Sequence, residues 1–274
     1  MDIAVDSSGN VYVVDSGNNR IQKFRNDGSF IRSWGVEGSG NGEFKFPARL
    51  AVDSSGNVYV TDPSNYRIQK FRNDGSFIRS WGGFGPGDGQ FYAPNGVALD
   101  SSGNVYVVDQ KKHNVQKFDG GGTFIRAWGS GGSNPGQFRS PTGVAVDSSG
   151  NVYVTDSNND RIQKFRNDGT YIRSWGVFGP GDGQFYSPTG VAVDSSGNVF
   201  VADTSNNRIQ KFDSGGTFIT KGGSYGSADG QFRFPAAVAI KPANVSIQEE
   251  RVFVADSEND RIQVFKPKIV VNPL

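Results

Sequence analysis

Residues 141–176 read PTGVAVDSSGNVYVTDSNNDRIQKFRNDGTYIRSWG. Four short runs rich in β-branched and aromatic residues, GVAVD, NVYVTD, RIQKF and YIRSWG, are separated by turn signals. The glycine of SSGN takes a positive φ at little cost, and the Asp-Gly of RNDG marks a tight hairpin. The stretch therefore predicts four antiparallel strands in sequence. Working outward, the same pattern recurs along the whole chain. The acidic residue of VDSSGNV stands at Asp6, Asp53, Asp100, Asp147 and Asp194, in steps of 47 residues. The acidic residue closing the second strand stands at Asp15, Asp62, Asp109, Asp156, Asp203 and Asp256, and the last step is 53. Its six extra residues lie in KPANVSIQEERV. The aromatic of RIQKF recurs at Phe24, Phe71, Phe118, Phe165, Phe212 and Phe265.

Six units follow, at about 1–47, 48–94, 95–141, 142–188, 189–235 and 236–274. One four-stranded unit cannot bury both faces of its sheet, but six arranged radially can. The expected fold is all-β: a six-bladed β-propeller in one domain, 1–274, with four antiparallel strands per blade. First strands should line the axis, and Trp34, Trp81, Trp128 and Trp175 should pack between blades further out. The sixth unit reaches Phe265 and is followed by KPKIVVNPL. KIVVN, 268–272, has strand propensity and is expected to form the outermost strand of blade six, with closure by face packing against blade one.

Composition agrees. The chain of 274 residues has 38 Gly, 12 Pro and no Cys, which excludes disulfides, thiolate metal sites and cysteine nucleophiles. Its 28 basic and 27 acidic residues nearly cancel, so no global pull toward nucleic acid or anionic membrane is indicated. No apolar run approaches the roughly 20 residues of a membrane helix. MDIAVDSSGN leads straight into a strand without a secretory apolar region. The compartment is left open between a cytosolic protein and a piece of a longer, exported one.

The pattern P-x-G-V-A-V-D-S-S-G-N-V-Y-V-x-D-x-x-N-x-R-I-Q-K-F resembles the NHL repeat, as in PTGVAVDSSGNVYVTDSNNDRIQKF at 141–165 and PTGVAVDSSGNVFVADTSNNRIQKF at 188–212. The resemblance covers essentially the whole chain and implies a six-bladed NHL propeller. Unit one lacks the leading Pro-x-Gly, unit three has Asn114 in place of the family Arg, and unit six has Lys241 in place of the first Asp.

The conspicuous residues read mostly as architecture. An Asp/Arg pair such as Asp156 with Arg161, repeated around a ring, suggests blade construction, since an enzyme usually needs one asymmetric site. The DSSGN carboxylates lack the further ligands of a calcium loop. His113, the single His, is expected to be a solvated loop residue, and no metal or cofactor is implied. The Lys23, Lys70, Lys117, Lys164 and Lys211 series reads as charge that deters edge-to-edge association. The units differ most in the interblade loops. Lys45, Tyr92, Arg139, Tyr186 and Arg233 alternate basic and aromatic character, followed by Arg49, Asn95, Thr142 and Thr189 near the mouth of the axis. These nine residues form the expected ligand-binding face, shared with the variable loops between strands two and three.

The favoured function is a monomeric, non-enzymatic binding or display scaffold that recognises a protein or other macromolecule, without a membrane role. Two alternatives stand. By resemblance, some NHL domains of tripartite-motif-type regulators bind single-stranded RNA on such a face, where stacking and cations are the required chemistry. Propeller lyases and hydrolases share the architecture, but their metal-binding His or carboxylate sets find no match here.

Overall fold

The computed structural model describes residues 1–241 and 250–266. Six sheets are present among the described residues, each built from consecutive strands in sequence order, five of four strands and one of three. In blade 4 the strands are Pro141–Val146, Val152–Asp156, Arg161–Phe165 and Tyr171–Trp175. Blades 1, 2, 3 and 5 repeat this over 2–34, 50–82, 94–128 and 188–222. Blade 6 has the strands Pro235–Lys241, Arg251–Asp256 and Arg261–Phe265 among the described residues. The strand expected at 268–272 lies outside the described residues.

Strands two and three pair without interruption, from Val152 opposite Phe165 to Asp156 opposite Arg161 in blade 4. A bulge between Lys164 and Phe165 then shifts the register of strand four, and the same shift recurs in blades 1, 2, 3 and 5. Bulges of this kind add local twist.

Six hydrophobic clusters form the core, one at each junction between blades. Between blades 3 and 4, Tyr106, Val108 and Val115 meet Phe138, Val152, Val154 and Phe165. Full burial of each such side chain is worth about 1.5–3 kcal/mol, so one junction outweighs any single surface contact. Blade 6 meets blade 1 through smaller groups: Ala237, Ala239, Ala255 and Phe253 against Ile3, Val11 and Val13. Among the described residues, blades 6 and 1 thus meet by face packing.

The tryptophans sit between blades. Trp34 lies between Tyr12 of its own blade and Phe71 of the next, with ring centroids 6.4 and 6.1 Å away. Trp81, Trp128 and Trp175 repeat this arrangement. Each indole also covers a turn glycine of the next blade. A Cβ at Gly75, Gly122, Gly169 or Gly216, all at positive φ, would strike the ring at 2.6–2.9 Å.

The lysine series has a different role from the one its exposed-edge reading suggested. Each ammonium lies 4.7–5.0 Å from the centroid of a strand-two aromatic ring: Tyr12, Tyr59, Tyr106, Tyr153 or Phe200. Lys23, Lys70, Lys117 and Lys164 also donate to a turn carbonyl of the following blade, at 3.0–3.3 Å. They are interblade bolts over aromatic faces.

Candidate binding face

The strand-two carboxylates organise the loop-rich face. Asp203 Oδ1 accepts the Tyr186 N–H at 2.8 Å, and Oδ2 accepts from Arg208 Nε at 2.7 Å and Gln210 Nε2 at 3.0 Å. Arg208 then donates to the carbonyls of Pro180, Gly181 and Gln184 in the incoming interblade loop. Asp62, Asp156 and Asp256 repeat this design with Arg67, Arg161 and Arg261. Burial pushes the Asp256 carboxyl up, but hydrogen bonds from the Arg233 N–H, Asn259, Arg261 and Gln263 outweigh it and hold the pKa below its ordinary value. The structural reading of the Asp/Arg pairs thus describes their geometry.

Blade 3 solves its missing arginine. Asn114 replaces it, and Lys112 donates instead to Gly87 O at 3.0 Å and Gln90 O at 3.1 Å. These carbonyls correspond to those Arg67 holds one blade earlier, Gly40 and Glu43. Lys112→Ala should cost about 1 kcal/mol, and adding Asn114→Arg should recover it, as read by urea denaturation. No loss in the single variant would show that water replaces the ammonium.

His113 is corrected from a solvated loop residue to a half-buried acceptor. It has a φ of 56°, and its Nδ1 accepts the Ser140 N–H at 3.2 Å. Asn19, Asp160 and Asn207 fill the equivalent role toward Phe46, Ser187 and Phe234. The DSSGN carboxylates are likewise committed to their own turns. Asp53 accepts from the Ser55 and Asn57 N–H groups, Asn57 Nδ2 and the Tyr59 hydroxyl. Burial first, and then the neighbouring carboxylate, pushes the Tyr59 phenol well above its ordinary pKa.

Of the nine residues expected on the binding face, five occupy one row. The N–H groups of Lys45, Tyr92, Arg139, Tyr186 and Arg233 are all held by strand-two carboxylates, at 2.7–2.9 Å. Anchored backbones leave their side chains to project. Tyr92 packs against Phe84 at 5.3 Å, and Phe84 against Tyr66 at 4.9 Å. Tyr186 meets Phe178 at 5.2 Å, edge to face. Arg233 lies 5.3 Å from the Tyr225 ring. Phe84, Phe178 and Tyr225 are 63–66% exposed, and sequence reading missed all three. Their signal is columnar: they stand seven residues before Phe91, Phe185 and Phe232, where the other units carry Glu37 and Gly131.

The inner row differs from expectation. Thr142 is buried, and its hydroxyl bonds Thr155, Ser157 and the Thr189 carbonyl. Thr189 likewise bonds Thr204 and the Ala236 carbonyl. Both hydroxyls stitch blade to blade. Asn95 is half-buried on the first strand of blade 3. Arg49 donates through Nη1 to Asp2 Oδ1 and to Ala236 O, both at 2.9 Å. One guanidinium therefore joins blades 2, 1 and 6.

Where blades 1 and 2 carry Asp2 and Arg49, blades 3 to 5 carry Gly96, Gly143 and Gly190. A Cβ at Gly96 would lie 2.4 Å from the Thr142 carbonyl, so glycine is required by the close approach of neighbouring first strands. All six first strands line an axial cavity of about 70 Å³. Among the described residues no helix is long and apolar enough to cross a membrane.

Six radial antiparallel units with anchored interblade loops define a six-bladed β-propeller of repeat type. The NHL repeat family is matched over residues 2–24, 44–71, 91–118, 138–165 and 185–212, one stretch in each of the first five blades, and the chain belongs to that family. No curated protein matches the sequence. Solved structures agree in fold. A streptogramin B lyase is 18% identical with a TM-score of 0.64, over 96% of this chain and 81% of that one. A gluconolactonase from Xanthomonas campestris is 16% identical with a TM-score of 0.69, over 97% and 86%. A chain of a nidogen/laminin complex is 21% identical with a TM-score of 0.64, over 81% and 78%.

Proposed function

We propose that the protein is a non-enzymatic binding scaffold that recognises another protein through its loop-rich face, acting as a monomer away from membranes. The observation that carries this reading is a rim of exposed rings, Phe84, Phe178, Tyr186 and Tyr225, each packed on a neighbour with a rigid support: Phe84 with Tyr92, Phe178 with Tyr186, and Tyr225 with Arg233. Exposed aromatics and arginines are the usual anchors of protein interfaces, and backbones already fixed by buried carboxylates lose little freedom on binding. The narrow axial cavity and the commitment of His113 to a structural bond favour recognition over catalysis. Lyases and a gluconolactonase share the fold, and these neighbours supply the competing enzymatic reading.

The test is an affinity capture of a protein partner followed by quantitative binding. A variant with Phe84, Tyr92, Phe178 and Tyr186 all changed to Ala should keep its fold and lose at least tenfold in affinity. Arg25→Ala with Arg72→Ala, on the opposite face, should change it less than twofold. The reverse pattern would overturn the assignment.

A second reading has its own observation. Lys45, Arg139 and Arg233 alternate with the aromatic positions, which is the chemistry of single-stranded RNA binding. The net charge of +1 weighs against it. An affinity for RNA that falls steeply with salt would favour this reading, because phosphate contacts release counterions.

A further inference from the structure

We infer that His113 is a pH-sensitive latch on the binding face, holding the turn beside Arg139 while its imidazole is neutral and releasing it on protonation. His113 Nδ1 lies 3.2 Å from the Ser140 backbone nitrogen. A backbone N–H can only donate, so Nδ1 must offer its lone pair, and the ring proton of the neutral imidazole sits on Nε2. Three other blades place an acceptor at the same repeat position. Asn19 Oδ1 takes the Phe46 N–H at 2.7 Å, Asp160 Oδ1 the Ser187 N–H at 2.8 Å, and Asn207 Oδ1 the Phe234 N–H at 2.9 Å. An amide oxygen accepts at any pH, and a carboxylate does so until acid protonates it. Histidine is the side chain whose ordinary titration falls between about pH 5 and about pH 8. Of these four anchors, one is therefore built from a group that changes role in that range.

Protonation turns the acceptor into a donor. Nδ1–H and the Ser140 N–H then face one another, and attraction gives way to repulsion. What the bond holds is a backbone conformation that an L-residue enters at a cost: Ser140 has a φ of 47°, as Phe46, Ser187 and Phe234 have 53°, 49° and 50°. Without its anchor the Ser140 backbone relaxes toward the commoner regions, and the first side chain to feel the change is the exposed Arg139 beside it. The Arg139 N–H keeps its own acceptor, Asp156 Oδ1 at 2.7 Å, so the release is confined to the turn at 140. The charged groups around the imidazole are three cations and two committed carboxylates. Lys111 and Lys112 stand before it in its own loop, and Arg139 precedes its partner in the interblade loop. Asp109 and Asp156 already accept backbone N–H groups. Gly131, where a Cβ would lie 3.2 Å from His113 Cδ2, brings no charge. The anchor is thus present above the imidazole's titration and lost as pH falls through it.

The latch would regulate the face proposed above for binding and rests on that reading; the test needs no partner, so the two can fail separately. The isotope-labelled full chain is titrated from about pH 8 to about pH 5, with ring-nitrogen and backbone amide resonances followed together. His113 is the single histidine, so its ring signals are unambiguous. At the upper end the ring is expected as the Nε2–H tautomer. On acidification the Ser140 amide should shift with the same midpoint as the ring. Its protection against exchange, corrected for the intrinsic pH dependence, should fall about tenfold or more relative to the amides of Phe46 and Phe234, which asparagines hold. His113→Asn installs the anchor of blades 1 and 5 and should abolish that step, leaving Ser140 protected across the range. His113→Ala should leave Ser140 unprotected throughout. An Nδ1–H tautomer at high pH, a Ser140 amide that behaves like those of Phe46 and Phe234, or a step that persists in a folded His113→Asn would overturn the proposal. The titration of the parent chain decides the question even if neither variant folds.

Discussion

Phe118→Ala should cost about 3–5 kcal/mol of folding stability, the range of large-to-small aromatic substitutions in cores. Phe118 is fully buried and touches the rings of Phe91, Trp81 and Phe124 at centroid distances of 5.8, 6.1 and 5.9 Å. Phe91 comes from the interblade loop, Trp81 from the end of strand four of blade 2 and Phe124 from the start of strand four of blade 3, so the vacancy would be walled by side chains already fixed by their own contacts. Little collapse is available, and the cavity term adds to the lost transfer energy. Phe265→Ala, at the same repeat position but half-buried, should cost less than half as much. Denaturant midpoints for the two variants supply the comparison. A loss under about 1 kcal/mol for Phe118→Ala would mean that neighbouring rings repack into the space.

Asp203→Ala should be comparably severe, at about 3–5 kcal/mol, for a different reason. Its carboxylate is fully buried, and Arg208 beside it is 7% exposed. Without the carboxylate the guanidinium remains largely out of water with no counter-charge, and the Tyr186 N–H and the Gln210 amide lose an acceptor. Breaking a buried pair costs far more than the pair contributes relative to an apolar replacement, because the abandoned charge keeps its desolvation penalty. Asp15→Ala is the control. The Asp15–Arg20 pair has side chains 19% and 41% exposed, where solvent screens the interaction, and its loss should stay under about 1 kcal/mol. Chemical denaturation checks both, and hydrogen exchange at the Tyr186 amide should accelerate only in the first variant. Equal effects at Asp203 and Asp15 would refute the burial argument.

The 47-residue spacing made the ring of six legible in the sequence, because each unit carries its own strands, turns and closing carboxylate. The row from Lys45 to Arg233 was legible for the same reason, as variation on a constant frame. What escaped was direction. Thr142 and Thr189 follow a proline at the start of a first strand, where the register shifts between Pro141 and Val144 and between Pro188 and Val191. A slip of this kind reverses which side chain faces in, and strand counting does not reveal it. Phe84 and Phe178 escaped because an exposed ring and a buried ring look alike in a loop until the backbone fixes one of them outward. The basic strand-three residues were misread because a lysine over a tyrosine face looks, in sequence, like any charge on an outer strand.

The guanidinium that ties blade 2 to blade 6 also sets a scale for assembling the molecule. Most side-chain links between blades span about one repeat, as Lys23 does in reaching Asn73, 50 residues away. The Arg49–Ala236 contact spans 187. Loop entropy depends on the logarithm of such separations, so bringing the distant ends together costs only about 1 kcal/mol more than bringing one blade to its neighbour. A nearly linear string of local couplings is thereby converted into a circle at small expense in chain freedom, across a junction lined mainly by alanine and valine and bridged by one guanidinium-to-carbonyl hydrogen bond.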